Sequence, residues 1–417
     1  NAAKLLADTG VCVLYHFMVN VPGETAESIK ESKETMEKIY KIHEKSRSIG
    51  TVVLNQIRLL PKTGSAQAAI DEGAISKNDT LLYPLYYNPA PFQNLRYELE
   101  IFLMEHPRKV EDYFCNDIAN TPLSSSLITS SLHGNLAAHN HEVMVSEGFM
   151  GEKSYEEITE EILNFQPDIM GIHMIYQWDN HVELKAFCKS IKAKMKIKII
   201  VYGFYAAFAY KDVLESIPEV NAVIIGEPET AFTEIAAGKI LPSIPSLCYR
   251  NENNEIIKNK IEILKNLDSL AQPIRSKEIL AMRETNIEGS RGCYNNCTFC
   301  YINNYYGKKC LWRGHSVDYI SQEIEMLMQN YGKNRFYFTD PNFFGPGEQG
   351  KKRCLELAKR LKPYNIKFGI EARVNDIEEK TLSALVDAGL EEILIGLESG
   401  SQNCLDRLKK NTTVAQN

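Results

Sequence analysis

Three cysteines, Cys293, Cys297 and Cys300, stand in the stretch GSRGCYNNCTFCYINNYYG with the spacing Cys-x3-Cys-x2-Cys. Thiolates grouped this closely bind iron–sulfur clusters or zinc. A structural zinc ion closes its tetrahedron with four protein ligands, and Cys310 and His315 are the nearby candidates for a fourth. The other reading is a 4Fe–4S cluster held at three corners, with its fourth iron open to a small molecule. The array directly follows a β-rich segment and a Gly-Ser-Arg-Gly turn, where an α/β barrel places its chemistry. Phe299 sets an aromatic face beside Cys300.

Such a loop needs a frame. β-rich runs predict strands over 285–289, 335–339, 367–371 and 392–397, separated by helical patterns over 317–331, 349–361 and 378–388. At the other end of the chain, strands are expected over 11–18 and 51–60, with a helix between them running to about residue 45. The middle shows the same rhythm. Strands are expected over 110–115, 142–145, 169–174, 197–201 and 222–225, and helices over 124–139, 154–164, 182–194, 211–216 and 229–237. Alternation at this spacing predicts parallel sheets with helices on both faces. The Asn-Glu-Asn-Asn run at 251–254 reads as a hairpin tip.

Composition bounds the rest. The 417 residues are 24% charged and 44% hydrophobic, enough for two or three cored domains. A net charge of −7 argues against a broad nucleic-acid surface. No apolar run approaches the roughly 18 residues of a membrane span, and nothing reads as a signal peptide. Ten scattered cysteines without a secretory context predict no disulfide framework and a reduced, cytoplasmic setting.

The sequence CYNNCTFC resembles the radical S-adenosylmethionine (SAM) superfamily, whose signature is Cys-x3-Cys-x-aromatic-Cys. The resemblance implies that Cys293, Cys297 and Cys300 ligate a 4Fe–4S cluster. SAM would chelate the open iron and be cleaved by one electron to a 5′-deoxyadenosyl radical, with an external donor such as flavodoxin or ferredoxin supplying that electron. RFYFTDPNFFGPG looks like the family's second strand and loop, with Asp340 and Asn342. KFGIEARVND looks like its third strand, with Glu371 and Arg373. EEILIGLESGSQNCLDRLKKNTT looks like its fourth, with Glu398 and Ser399. FMVNVPGETAESIKES looks like its fifth.

Residues 110–270 resemble the cobalamin-binding domain of one branch of that superfamily. By this likeness Gly203, Gly226 and Glu227, at strand ends, face the cofactor, although Phe204 stands where the family often has a second glycine. No Asp-x-His-x-x-Gly motif follows 110–115. DNHVEL follows the third strand and lacks the glycine, so His181 is expected at a helix start, with no protein histidine beneath cobalt. His133, His139 and His141 read as surface residues, and Tyr301, Tyr305 and Tyr306 as lining a pocket or packing. The implied fold class is α/β: a doubly wound Rossmann-like domain over 108–270, plus a partial (β/α)6 barrel built from 271–417 and 1–107.

The chain order is rotated relative to that pattern. Joining Asn417 to Asn1 gives KKNTTVAQNNAAKLLADTG, which reads as one helix capped by Thr412 or Thr413 and entering the fifth strand in register. A circular permutant, a window cut from a tandem array, and a reading frame taken around circular DNA would each give this order. A compact single barrel requires Asn1 and Asn417 to lie close together. The expected function is cobalamin-dependent methylation of an unactivated carbon in a small-molecule or peptide substrate. The alternatives are radical cyclisation or rearrangement, or a non-catalytic iron–sulfur or corrinoid-binding module.

Overall fold

The computed structural model describes residues 2–60, 62–79, 85–104, 122–148, 150–174, 181–307 and 311–417. Its strands are β1 (Cys12–Val19), β2 (Ile49–Gln56), β3 (Ile169–His173), β4 (Lys198–Tyr202), β5 (Ala222–Ile224), β6 (Leu247–Arg250), β7 (Ile256–Lys258), β8 (Thr285–Ile287), β9 (Ser290–Arg291), β10 (Arg313–Gly314), β11 (Arg335–Phe338), β12 (Lys367–Ala372) and β13 (Leu390–Glu398).

Six of these form one sheet in the order β2-β1-β13-β12-β11-β8, with every neighbouring pair parallel. Read from β8, the two N-terminal strands follow the last strand of the chain. The chain ends meet accordingly: Ala2 N donates to Gln416 O (3.1 Å) and Ala3 N to Asn417 O (3.4 Å). Of the two caps expected at 412–413, Thr413 is the one seen: its Oγ1 accepts from Gln416 N (3.2 Å) and its N donates to Gln416 Oε1 (2.8 Å), in the turn over 414–416.

Strand alternation decides which side chains reach the site. On β1, Val13, Tyr15 and Phe17 are buried in the core that also holds Phe336, Phe338, Ile370, Ile393 and Ile395. The alternate residues His16 and Met18 therefore point the other way, into a cavity. Each fully buried apolar side chain of this kind stabilises the fold by about 1.5–3 kcal/mol. The helices between the strands have clear local stops. Ser316 caps the helix Val317–Tyr331 by accepting from Tyr319 N, and Gly332 ends it in the left-handed conformation.

The second sheet has the order β3-β4-β5-β6-β7, parallel through β5 and then antiparallel. Both faces are covered. Ile199, Val201 and Val223 pack with Ile162, Cys188 and Ile191 on one side. Ile200, Tyr202 and Ile224 pack with Leu132, Phe232 and Ile235 on the other. The hairpin predicted at 251–254 joins β6 to β7.

Three local expectations change. Residues 142–145 form no strand; the run is anchored instead through its polar neighbour Ser146, which donates to Glu161 Oε2 (2.6 Å). Among the described residues no strand pairs with this run, and a short apolar run does not become a strand by propensity alone. β2 stops at Gln56, because the chain then pairs locally with 85–87 through Leu59 N to Leu85 O and Tyr87 N to Ile57 O. An unexpected helix, Phe204–Phe208, opens directly after β4. The expected strand at 110–115 and the boundary at 107–108 lie outside the described residues.

Candidate active site

The cysteine array hangs from β8 and is fixed at both ends. β9 pairs antiparallel with β10, placing Arg291 opposite Arg313. Asp340, fully buried, accepts from Gly289 N and Ser290 Oγ (both 2.7 Å) and pins the turn that enters the loop. Gly292 follows at φ +84, and a Cβ there would come within 1.9 Å of Leu311 O, so only glycine lets the loop pass. Beyond it, the segment after helix Gln402–Arg407 clamps the array. Thr298 N donates to Leu408 O (2.9 Å), and Asn295 Nδ2 donates to Lys410 O (3.0 Å).

The three thiols line a cavity of 1280 Å³ that both sheets share. Asn295 Nδ2 lies 2.9 Å from Cys297 Sγ, and Arg373 Nη1 lies 3.9 Å from it, so the sulfur has an amide and a guanidinium as donors. Burial pushes the Cys293 thiol up and the Cys300 thiol up to about 12, so deprotonation there calls for a bound cation. Among the described residues no three His, Cys, Asp or Glu side chains converge as a single ion requires. His315 is turned away from the array, with Nδ1 2.9 Å from Asp268 Oδ1 and its ring stacked on Tyr319. Cys310 lies outside the described residues.

Of the remaining residues singled out from the sequence, Phe299, Glu371, Arg373, Glu398 and Glu227 line the cavity. Arg373 Nη2 also donates to Lys410 O (2.6 Å), which ties β12 to the cysteine clamp. Glu398, at the end of β13, accepts from Lys410 Nζ (2.6 Å) in a pair whose side chains are 8% and 7% exposed. The pair lies over Gly396, where a Cβ would meet Glu398 Oε1 at 2.4 Å.

Asp340, Asn342 and Ser399 do not reach the cavity lining. Asp340 pins the turn described above. Asn342 Nδ2 donates to Asp376 Oδ2 (2.8 Å). Ser399 Oγ accepts from Ser401 N (3.1 Å) within the turn after β13. At the second sheet, Gly203 (φ +112) is required by packing, since a Cβ would lie 2.6 Å from Met174 O. Gly226 accepts from the Tyr305 hydroxyl. Phe204 packs edge-on against Tyr301 and Tyr305 at 4.8 and 4.5 Å, so these rings both pack and line the cavity. His181 stands at the start of helix His181–Lys194, as expected.

The sequence reading missed Asn295, His16 and Lys410. Asn295 lies inside the quoted array, and a side-chain amide between two cysteines was its available signal. His16 lines the cavity from β1, with Nδ1 3.0 Å from Asn55 Nδ2. Its Nε2 is buried with no partner among the described residues, and burial pushes its pKa down to about 4, so the imidazole is neutral near pH 7.

Asp340 yields a pH prediction. Burial raises its pKa to about 6, against the nearby Arg353 charge and the hydrogen bonds from Ser290 and Gly289, which lower it. Between the ordinary carboxylate value of about 4 and this value, the folded protein holds a proton that the unfolded chain has lost. Asp340's contribution to stability is therefore expected to fall as pH rises through that window and to level off above it. Urea midpoints for the wild type and Asp340→Asn should differ in slope across the window, the variant lacking this component.

The family described as the radical SAM superfamily matches residues 287–416. The chain is 28% identical over 297 residues to an uncharacterized methyltransferase of Pyrococcus horikoshii, covering 67% of this chain and 62% of that protein. It is 24% identical over 283 residues to the anaerobic magnesium-protoporphyrin IX monomethyl ester cyclase of Cereibacter sphaeroides, covering 63% of this chain and 45% of that protein. The chain thus spans about half to three-fifths of these relatives' length. The structure of OxsB, a cobalamin-dependent SAM radical enzyme with aqua-cobalamin bound, shares the fold at TM-score 0.63 and 20% identity, over 94% of this chain and 61% of that one.

Proposed function

We propose that this chain, whose residues 287–416 match the radical SAM superfamily, binds a 4Fe–4S cluster, SAM and cobalamin and methylates an unactivated carbon of a small-molecule or peptide substrate. One observation carries the reading: the three thiols, the polar side chains at the ends of β12 and β13, and the C-terminal edge of the second sheet all face one cavity. The name of the Pyrococcus relative supports methyl transfer.

When bound, the cluster supplies an electron and an open iron for cleaving SAM to a 5′-deoxyadenosyl radical, and cobalamin supplies a carrier for the methyl group. Cys293, Cys297 and Cys300 would hold the cluster. Asn295 and Arg373 donate toward Cys297 Sγ. Glu371, Arg373 and Glu398 offer charged groups to the polar parts of SAM. Phe204, Leu127 and Ile128 give the second sheet's side of the cavity an apolar lining for a corrin face. Tyr301, Tyr305 and Tyr306 narrow the space between the two sheets and exclude water. The division into a cobalamin domain over 108–270 and a barrel from 271–417 and 1–107 belongs to this proposal, as do a cytoplasmic setting and a flavodoxin or ferredoxin donor. Among the described residues no helix is long and apolar enough to cross a membrane.

Anaerobic reconstitution followed by gel filtration tests the cofactors. Cobalamin is expected to co-elute with the protein, and SAM to change the electron paramagnetic resonance (EPR) spectrum of the reduced cluster. Protein that carries iron but retains no cobalamin would sink the methyl-transfer reading. A radical cyclisation is the second reading, favoured by the likeness to the monomethyl ester cyclase. It predicts 5′-deoxyadenosine without S-adenosylhomocysteine.

A further inference from the structure

Two residues before Cys293, Arg291 is buried with only 5% of its side chain exposed. Its guanidinium meets groups from both halves of the molecule. Nη2 donates to Glu229 Oε1 (2.6 Å) and Nη1 to Glu229 Oε2 (3.2 Å), a two-pronged contact with a fully buried carboxylate. Nη1 also donates to Glu227 Oε1 (3.1 Å), while Nε and Nη2 hold Glu288. Ser131 Oγ donates to Glu229 Oε1 (2.9 Å). Arg313, opposite Arg291 on β10, holds Glu227 from the other side at 2.9 and 3.0 Å. Glu227 accepts further from Leu264 N (2.8 Å).

Glu227 and Glu229 follow β5 of the second sheet, whereas Arg291 and Arg313 belong to the hairpin that launches the cysteine array. The network is thus the polar joint between the two sheets, beside the shared cavity. Burial alone would raise the Glu229 carboxyl, but the Arg291 guanidinium outweighs it and holds that pKa below the usual range. A buried charge network of this kind is a weak source of stability, and its attested use is to specify one arrangement. The planar arginine fork suits that task, because it fixes direction as well as distance.

We propose that Arg291 is a positioning residue that registers the cysteine array against the loop after β5, so that the two cofactor sites face the cavity at one fixed separation. The proposal rests on the cobalamin and cluster reading above, and its test separates the two.

The test uses the full chain loaded with cluster and cob(II)alamin. A reduced cluster speeds the spin relaxation of nearby cob(II)alamin, and this enhancement falls steeply with distance. Wild-type protein is expected to give a single, well-defined enhancement. Glu229→Gln is expected to keep its iron and cobalamin content but to give a weaker and more heterogeneous enhancement, with Arg291→Lys intermediate. The surface variant Glu391→Gln, which removes a pair with Arg335, is expected to match the wild type. A fully loaded Glu229→Gln protein with wild-type relaxation would overturn the proposal. Should Glu229→Gln fail to fold by circular dichroism, Ser131→Ala removes one of the Glu229 contacts. A smaller shift in the same direction then supports the proposal, and an unchanged value overturns it. If wild-type protein binds no cobalamin, the functional reading fails. The positioning role is then read from the cluster's EPR spectrum alone, where a Glu229→Gln spectrum unlike the wild type supports it and an identical one overturns it.

Discussion

Cys297→Ala is expected to abolish SAM cleavage, with iron content, visible absorption and 5′-deoxyadenosine production lost together. Cys297 is the middle thiol of the array and the one that Asn295 Nδ2 and Arg373 Nη1 approach. On the proposed reading alanine removes one of the three cluster thiols, and among the described residues no fourth His, Cys, Asp or Glu side chain converges with them to take its place. His315 is committed to Asp268 and Tyr319. The loop itself should survive, because the backbone of Thr298 is held by Leu408 and Ser65, and the Asn295 side chain by Lys410. Circular dichroism should therefore match the wild type while iron binding fails. A Cys297→Ala protein that retained full iron and full 5′-deoxyadenosine output would show that the array is not the cluster site.

Lys410→Met is expected to cost about 3–5 kcal/mol of stability, the usual result of leaving one member of a buried ion pair uncompensated. Lys410 Nζ and Glu398 Oε1 are 2.6 Å apart in the cavity wall, and Gly396 makes room for them. The backbone oxygen of Lys410 also receives Asn295 and Arg373, so displacing the residue would disturb the clamp on the cysteine loop. The double variant Lys410→Met/Glu398→Gln removes both charges and should recover much of the loss, because the unpaired charge and not the missing attraction dominates the penalty. Urea denaturation of the wild type, both single variants and the double variant gives the coupling directly. Simple additivity would show that the two groups act independently.

The features legible in the sequence were those with local causes. The helix Val317–Tyr331 is bounded by a serine cap and a left-handed glycine, and both residues can be read one at a time. The strands of the six-stranded sheet stand out as apolar runs between such helices. The cysteines announce themselves by spacing. Side-chain direction was not legible. Asp340, Asn342 and Ser399 sit close to strand ends, but each turns to satisfy a nearby backbone or side-chain group away from the cavity.

The network around Arg291 was equally hidden, because Glu229 is 62 residues away and Ser131 is 160 away. Glu227, read from a strand end as a cofactor contact, lies at the cavity but is held by two arginines. His16 looked like one more residue of a β-rich run until the pleat of β1 placed it on the cavity side. The strand expected at 142–145 is missing for the complementary reason, since among the described residues it has no partner strand and β propensity needs one to act.

One measurement tests the central claim most directly. The full chain, reconstituted anaerobically with iron, sulfide and cobalamin, is incubated with SAM and a strong reductant, and 5′-deoxyadenosine and S-adenosylhomocysteine are quantified. The account predicts both products, each dependent on Cys297. Protein with a full complement of iron and cobalamin that formed neither product would contradict it.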